Sequence, residues 1–264
     1  MSKGRPFLEV FASAASEDYR FPVLETFAFL FVLGQFVLAN LNIPSSINSG
    51  ELMIYWLVSS GTGIQLLLFL ILMLKNVSYG FGRDFEKGTF QTELSYPLSR
   101  RKVLAARLLS GIGIAVLLLL GVQIVALFIE APAMILPNIG LILLLFVSNF
   151  GELLLLTSII LLLALLIKRG NGSLIIGIAA CLAVGVGTSI LTLLASLKGS
   201  VMFVQIGALL NPSLALSAYF GYASGGIVWS PSLVEAAFYV LGNYVITAIL
   251  FSVAYYYFAR RLSF

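Results

Sequence analysis

Tyr79–Arg107, YGFGRDFEKGTFQTELSYPLSRRKVLAAR, is the one long polar stretch in a chain otherwise built from apolar runs. It carries six of the fifteen basic residues (Arg83, Lys87, Arg100, Arg101, Lys102, Arg107) and three of the eleven acidic ones (Asp84, Glu86, Glu93). Apolar blocks long enough to cross a bilayer lie on both sides. An isolated charge in hydrocarbon is costly, so a charged segment between two spans belongs in water or at the headgroups. The stretch therefore reads as a solvent-facing lobe, the natural handle for a soluble partner. It has internal shape as well. Gly88 permits a bend, Pro97 ends a helix begun near Arg83 and pushes Tyr96 into extended backbone, and Ser99 is placed to cap a new helix entering the next span. The plainer alternative is a connecting loop whose basic residues only fix orientation.

Outward from this stretch, composition sets the class. The chain has 264 residues, 60% hydrophobic and 10% charged, with a mean hydropathy of +1.07. Soluble domains carry about 25% charged residues, so this is a membrane protein with little length left for a soluble catalytic domain. The net charge of +4 does not point to nucleic acid, because the basic residues flank apolar runs instead of forming a stripe. With one cysteine, Cys181, and no histidine, no internal disulfide, common zinc site or His-based nucleophile pair can be built.

Six spans are expected, at about 21–43, 52–77, 103–129, 139–167, 173–197 and 233–259, each close to or above the length that crosses about 30 Å of hydrocarbon. Residues 1–20 place Phe7, Leu8, Phe11, Ala14 and Ala15 at helical spacing and read as an amphipathic helix at the membrane surface, not a cleaved signal peptide. Lys75 is set to snorkel at the end of the second span. Residues 198–232 are apolar but broken at Asn211-Pro212 and by Gly221, Gly225 and Gly226. They read as two short re-entrant or interfacial helices on the outer side. This places fourteen of the fifteen Lys/Arg on or beside one side, all but Lys198. The positive-inside rule makes that side, with both termini, cytoplasmic.

The pattern Glu86-Lys87-Gly88-Thr89 followed by Leu94-Ser95-Tyr96-Pro97-Leu98-Ser99-Arg100, set between the second and third spans, resembles the ABC-2-type permeases, the membrane subunits of ATP-binding-cassette exporters. Thr92 and Glu93 stand where that family usually carries leucines. The resemblance implies a single all-α permease domain over 1–264. Segment 79–102 would be a coupling helix, with Arg83, Asp84, Glu86, Lys87, Gly88, Thr89, Pro97, Ser99 and Arg100 at the ATPase contact. It also implies a connecting helix over 1–20, re-entrant helices before the last span, a cytoplasmic ABC ATPase partner and a second permease subunit in the cell membrane. No Walker loop G-x-x-x-x-G-K-[ST] occurs in the chain. ATP and Mg would thus sit on the partner, and this chain would hold no cofactor and perform no catalysis.

Within the spans, Glu152 is the acid nearest a helix centre, with Ser148 and Asn149 one turn before it on what reads as a shared face. Such an acid faces protein or a cavity. It either lines a substrate path or clamps helices, and the sequence leaves both open. Gln35, Gln65, Gln123 and Asn243 read as interhelical glue, and the small residues of the fifth span (Ala179, Ala183, Gly187; Gly177, Cys181, Gly185) as a close-packing face. Two other functions compete: an ATP-independent channel or ion-coupled carrier using Glu152, and a polytopic membrane enzyme relying on carboxylates such as Glu25, Glu152 and Glu235. The substrate is not legible.

Overall fold

The structure is a computed structural model that describes residues 5–38, 50–95, 98–221 and 228–261. Its elements are helices: α1 (Arg5–Asp18), α2 (Val23–Val37), α3 (Gly50–Glu86), α4 (Thr89–Leu94), α5 (Arg100–Glu130), α6 (Pro132–Ile135), α7 (Ile139–Ile167), α8 (Gly170–Lys198), α9 (Val201–Leu210), α10 (Ser213–Tyr219) and α11 (Leu233–Arg260). Five of them, α3, α5, α7, α8 and α11, are long and apolar enough to cross a membrane. A sixth crossing is counted if α1 and α2, bent by 67° at their junction, form one broken span. The first expected span, 21–43, is described as far as residue 38. Pro97, Tyr96, Gly225 and Gly226 lie outside the described residues.

One expected boundary is corrected. The second span does not end near Val77, because α3 continues as one 37-residue helix to Glu86. The first eight residues of the polar stretch, Tyr79 to Glu86, are thus an extension of a span. Gly80 and Gly82 stay helical, and the chain turns only at Gly88, whose φ of +70° suits a residue without a side chain. The bend expected at Gly88 is therefore where this helix stops. The helix that enters the third span starts at Arg100, directly after Ser99, as expected. Ser99 occupies the cap position with extended backbone, φ −69° and ψ 147°, but its side chain makes no capping hydrogen bond. Its carbonyl accepts from Lys102 N at 2.8 Å.

The centre of the bundle is α7, 61% buried over its span window against 11% for α8. Its bounds, 139–167, match the sequence reading. Lys168, at φ +57°, makes the tight turn into α8. α9 and α10 meet at Asn211-Pro212 beside the middle of α7: a Cβ on Gly151 would lie 2.9 Å from Pro212 Cγ and 2.8 Å from Asn243 Oδ1. Only glycine admits that approach. Gly151 lies twelve residues into α7, about 18 Å along its axis. A helix ending at that depth leaves carbonyls without water. Asn243 of α11 supplies the donor, its Nδ2 reaching Leu209 O at 2.8 Å and Leu210 O at 3.2 Å.

Three more amides join the first spans in a line. Gln123 Nε2 donates to Gln65 Oε1 at 2.8 Å, and Gln65 Nε2 to Gln35 Oε1 at 2.8 Å. α2, α3 and α5 are thereby tied together, the glue role expected of these residues. The fifth-span stripe is different. Gly177 packs on Ser78 of α3, yet Gly185 and Gly187 have open space beside them and Ala179 and Ala183 are exposed.

Candidate functional site

Two places gather polar chemistry. The first lies where α1 meets α3, α4 and α5. Arg107, two turns into α5 and 5% exposed, is its hub. Its Nη1 stands 3.1 Å from Asp84 Oδ2 and 3.7 Å from Glu17 Oε2, and its Nη2 2.6 Å from Glu93 Oε1. Nε donates to the same Glu93 carboxylate at 2.9 and 3.2 Å. Glu17 also pairs with Arg83. The solvent-facing lobe is therefore only partly what the charge content implied, because Asp84, Glu93 and Arg107 are buried and answer one another.

The neighbouring contacts explain how α1 is held. Ser110 Oγ donates to Asp18 Oδ2 at 2.7 Å, and Tyr19 Oη to Gly111 O at 2.7 Å. Lys75 Nζ donates to the Asp18 carbonyl and to Asn76 Oδ1, so it reaches the end of α1 instead of snorkelling. A cation at a helix C-terminus also complements the helix dipole. Lys75 and Asn76 lie in one π-helical turn (Leu74–Tyr79), and Ser110 and Gly111 in another (Leu109–Gly113). Such turns break the regular ladder and recur at functional sites. Burial pushes the Asp18 carboxyl above the ordinary range, although the Ser110 hydrogen bond and the charges of Arg107 and Lys75 pull it back. The buried seam of α1 is Val10 and Ala14, while Leu8, expected on the apolar face, is 62% exposed.

Phe90 and Glu93, one turn apart on α4, anchor that helix. The Phe90 ring, 1% exposed, lies 4.6 Å from that of Phe85 and 5.5 Å from that of Phe258. Glu93 thus fills a position where a leucine would serve, and Arg107 supplies its counter-charge. What remains outside is a compact face. Glu86, Lys87, Thr92, Ser99, Arg100, Arg101 and Lys102 are exposed, while Arg83, Gly88 and Thr89 are half-buried. Of the expected coupling residues that the structure describes, Asp84 alone is buried.

The second place is a cavity of about 230 Å³ among α3, α7 and the α9–α10 junction. Asn149 and Glu152 line it, with Ser59 from α3 and Asn211, Ser213 and Ser217 from the junction. Glu152 lies thirteen residues into α7, about 20 Å along the helix. Ser148, one turn before Glu152, does not line the cavity; it is fully buried, its hydroxyl without a hydrogen-bond partner among the described residues. Tyr55 closes one wall, its ring 4.5 Å from that of Phe220.

Glu17, Asp18, Tyr19, Ser110 and Arg107 were not among the expected site residues. One signal pointed to them: a charge at position 107, inside an apolar run, needs a partner. Among the described residues no three His, Cys, Asp or Glu side chains gather as metal ligands. No family model matches the chain, and no curated protein matches it.

Proposed function

We propose that this chain is the transmembrane permease subunit of an ATP-binding-cassette exporter of the ABC-2 type. It sits in the cell membrane, and a second permease subunit, identical or related, completes the pathway. A separate cytoplasmic ATPase docks on the 79–102 lobe. The observation that carries this reading is the exposed face of Glu86, Lys87, Ser99 and Arg100, mounted on a lobe fixed from within by Arg107. A loop serving only as a topology signal needs no such internal bracing. Asp84 acts in this reading through Arg107, holding the face in place, and not as a contact residue. Closure of the ATPases on ATP pushes the lobe and tilts the spans to which it is joined.

The experiment is purification of the tagged protein from its native membrane in mild detergent. The expected result is a stoichiometric subunit of roughly thirty kilodaltons, a domain-scale size, bearing a Walker loop and lost in Glu86→Lys and Arg100→Glu variants that still insert. Purification of the chain without an ATPase, under several conditions, overturns the proposal. A second reading, an ATP-independent ion-coupled carrier, is favoured by the lone carboxylate of Glu152 in its cavity, and that result would move the weight to it.

A further inference from the structure

The Glu152 cavity holds one carboxylate among amides and hydroxyls, those of Asn149, Asn211 and Ser59, that can donate as well as accept. The Ser213 hydroxyl donates to Asn211 Oδ1 at 2.5 Å, and the Ser217 hydroxyl to Leu214 O at 3.0 Å. With their protons so used, both oxygens offer lone pairs. Glu152 adds a carboxylate, an acceptor in its ionised form. Among the described residues it makes no ion pair, and no Lys or Arg lines the cavity. Acids at this depth ordinarily pair with a cation or mark a path for one. The volume of about 230 Å³ is below the 300 to 1,000 Å³ that encloses a drug-sized ligand (about that range).

From this geometry we infer that the cavity binds a small organic cation, a protonated amine or the ammonium head of a larger molecule. The Glu152 carboxylate is its counter-ion, and Ser213 and Ser217 accept its N–H donors. An ammonium group has three donors and no acceptor, which matches the Glu152 carboxylate and the two serine oxygens whose protons are already used. Tyr55 adds an aromatic ring to one wall, and such a ring favours a cation over a neutral group. The site rests on this chain alone and not on the ATPase-coupled reading. Should the amine prove to be cargo, that role would depend on the transport reading.

The test uses the purified full-length chain in detergent without an ATPase, titrated calorimetrically with benzylammonium chloride and with the neutral isostere benzyl alcohol. Benzylammonium should bind saturably and the alcohol at least about tenfold more weakly, a gap of about 1.4 kcal/mol. Glu152→Gln should erase the preference, and Ser217→Leu, which fills the cavity and keeps the carboxylate, should abolish binding of both probes. Equal binding of the two probes to the unaltered protein overturns the inference without reference to any variant. So does amine binding that survives Ser217→Leu unchanged. Failure to co-purify an ATPase leaves this result untouched, so the two readings fail separately.

Discussion

The guanidinium of Arg107 grips the Glu93 carboxylate by Nη2 at 2.6 Å and Nε at 2.9 Å, joining α5 to the short helix α4 inside the lobe. Paired and buried, these charges satisfy each other; separated, either is an uncompensated ion. Arg107→Ala should therefore lower the unfolding free energy by about 3–5 kcal/mol, read as a fall in thermal unfolding temperature. The joint replacement Asp84→Asn, Glu93→Leu and Arg107→Met, which leaves none of the three buried charges alone, should recover most of that loss. An unaltered melting temperature in Arg107→Ala would deny the cluster its structural role.

Asp18 should make the attachment of α1 sensitive to pH. Its carboxyl is held above the ordinary range by burial, so the folded protein binds that proton more tightly than the unfolded chain does. The resulting stability is fully present below the unfolded value and fades as the pH rises through the folded one. Asp18→Asn keeps an acceptor for Ser110 without the charge. Its melting temperature should equal that of the unaltered protein at or below about pH 4 and exceed it increasingly toward neutral. A difference that does not vary with pH would contradict this.

At the α9–α10 junction, Asn243→Ala should leave the Leu209 and Leu210 carbonyls without their donor at membrane depth. A loss of about 1–3 kcal/mol follows, together with faster alkylation of single cysteines placed in Val201–Leu210. Asn243→Leu, similar in volume, should do no better, because the missing element is the N–H.

The glutamine line is a milder case. Gln65 serves both neighbours, so Gln65→Ala removes three interhelical bonds at once, those to Gln35 and to the Phe31 carbonyl and that from Gln123. Each such bond in a bilayer contributes about 0.6 kcal/mol on average. Gln65→Ala should therefore cost more than Gln35→Ala, as ranked by thermal unfolding in detergent.

The course of the main chain was legible wherever breakers and charges coincide. α7 ends where expected because Pro137-Asn138 and Lys168-Arg169 punctuate it at both ends. α3 was misjudged because its polar residues begin some nine residues before its backbone stops. A helix that leaves the membrane need not end there, and only Gly88, with its left-handed φ, forces the turn. The ion cluster was largely illegible. Glu17 and Arg107 stand 90 residues apart, and no periodicity links them. The cavity falls between these cases. Asn149 and Glu152 announce themselves on one helix, but Ser59, Ser213 and Ser217 join them only through the packing of three separate segments.

The unbroken course of α3 has a mechanical consequence. Tyr55 and Ser59 at one end border the Glu152 cavity, while Arg83 and Glu86 at the other end belong to the lobe. No loop intervenes between them, and at 1.5 Å per residue the two ends stand about 46 Å apart. The helix is a lever, with Ser78 bearing on Gly177 of α8 as its fulcrum. In the proposed transporter, a tilt of the exposed end would reach the cavity wall as a lateral displacement about the Ser78–Gly177 contact.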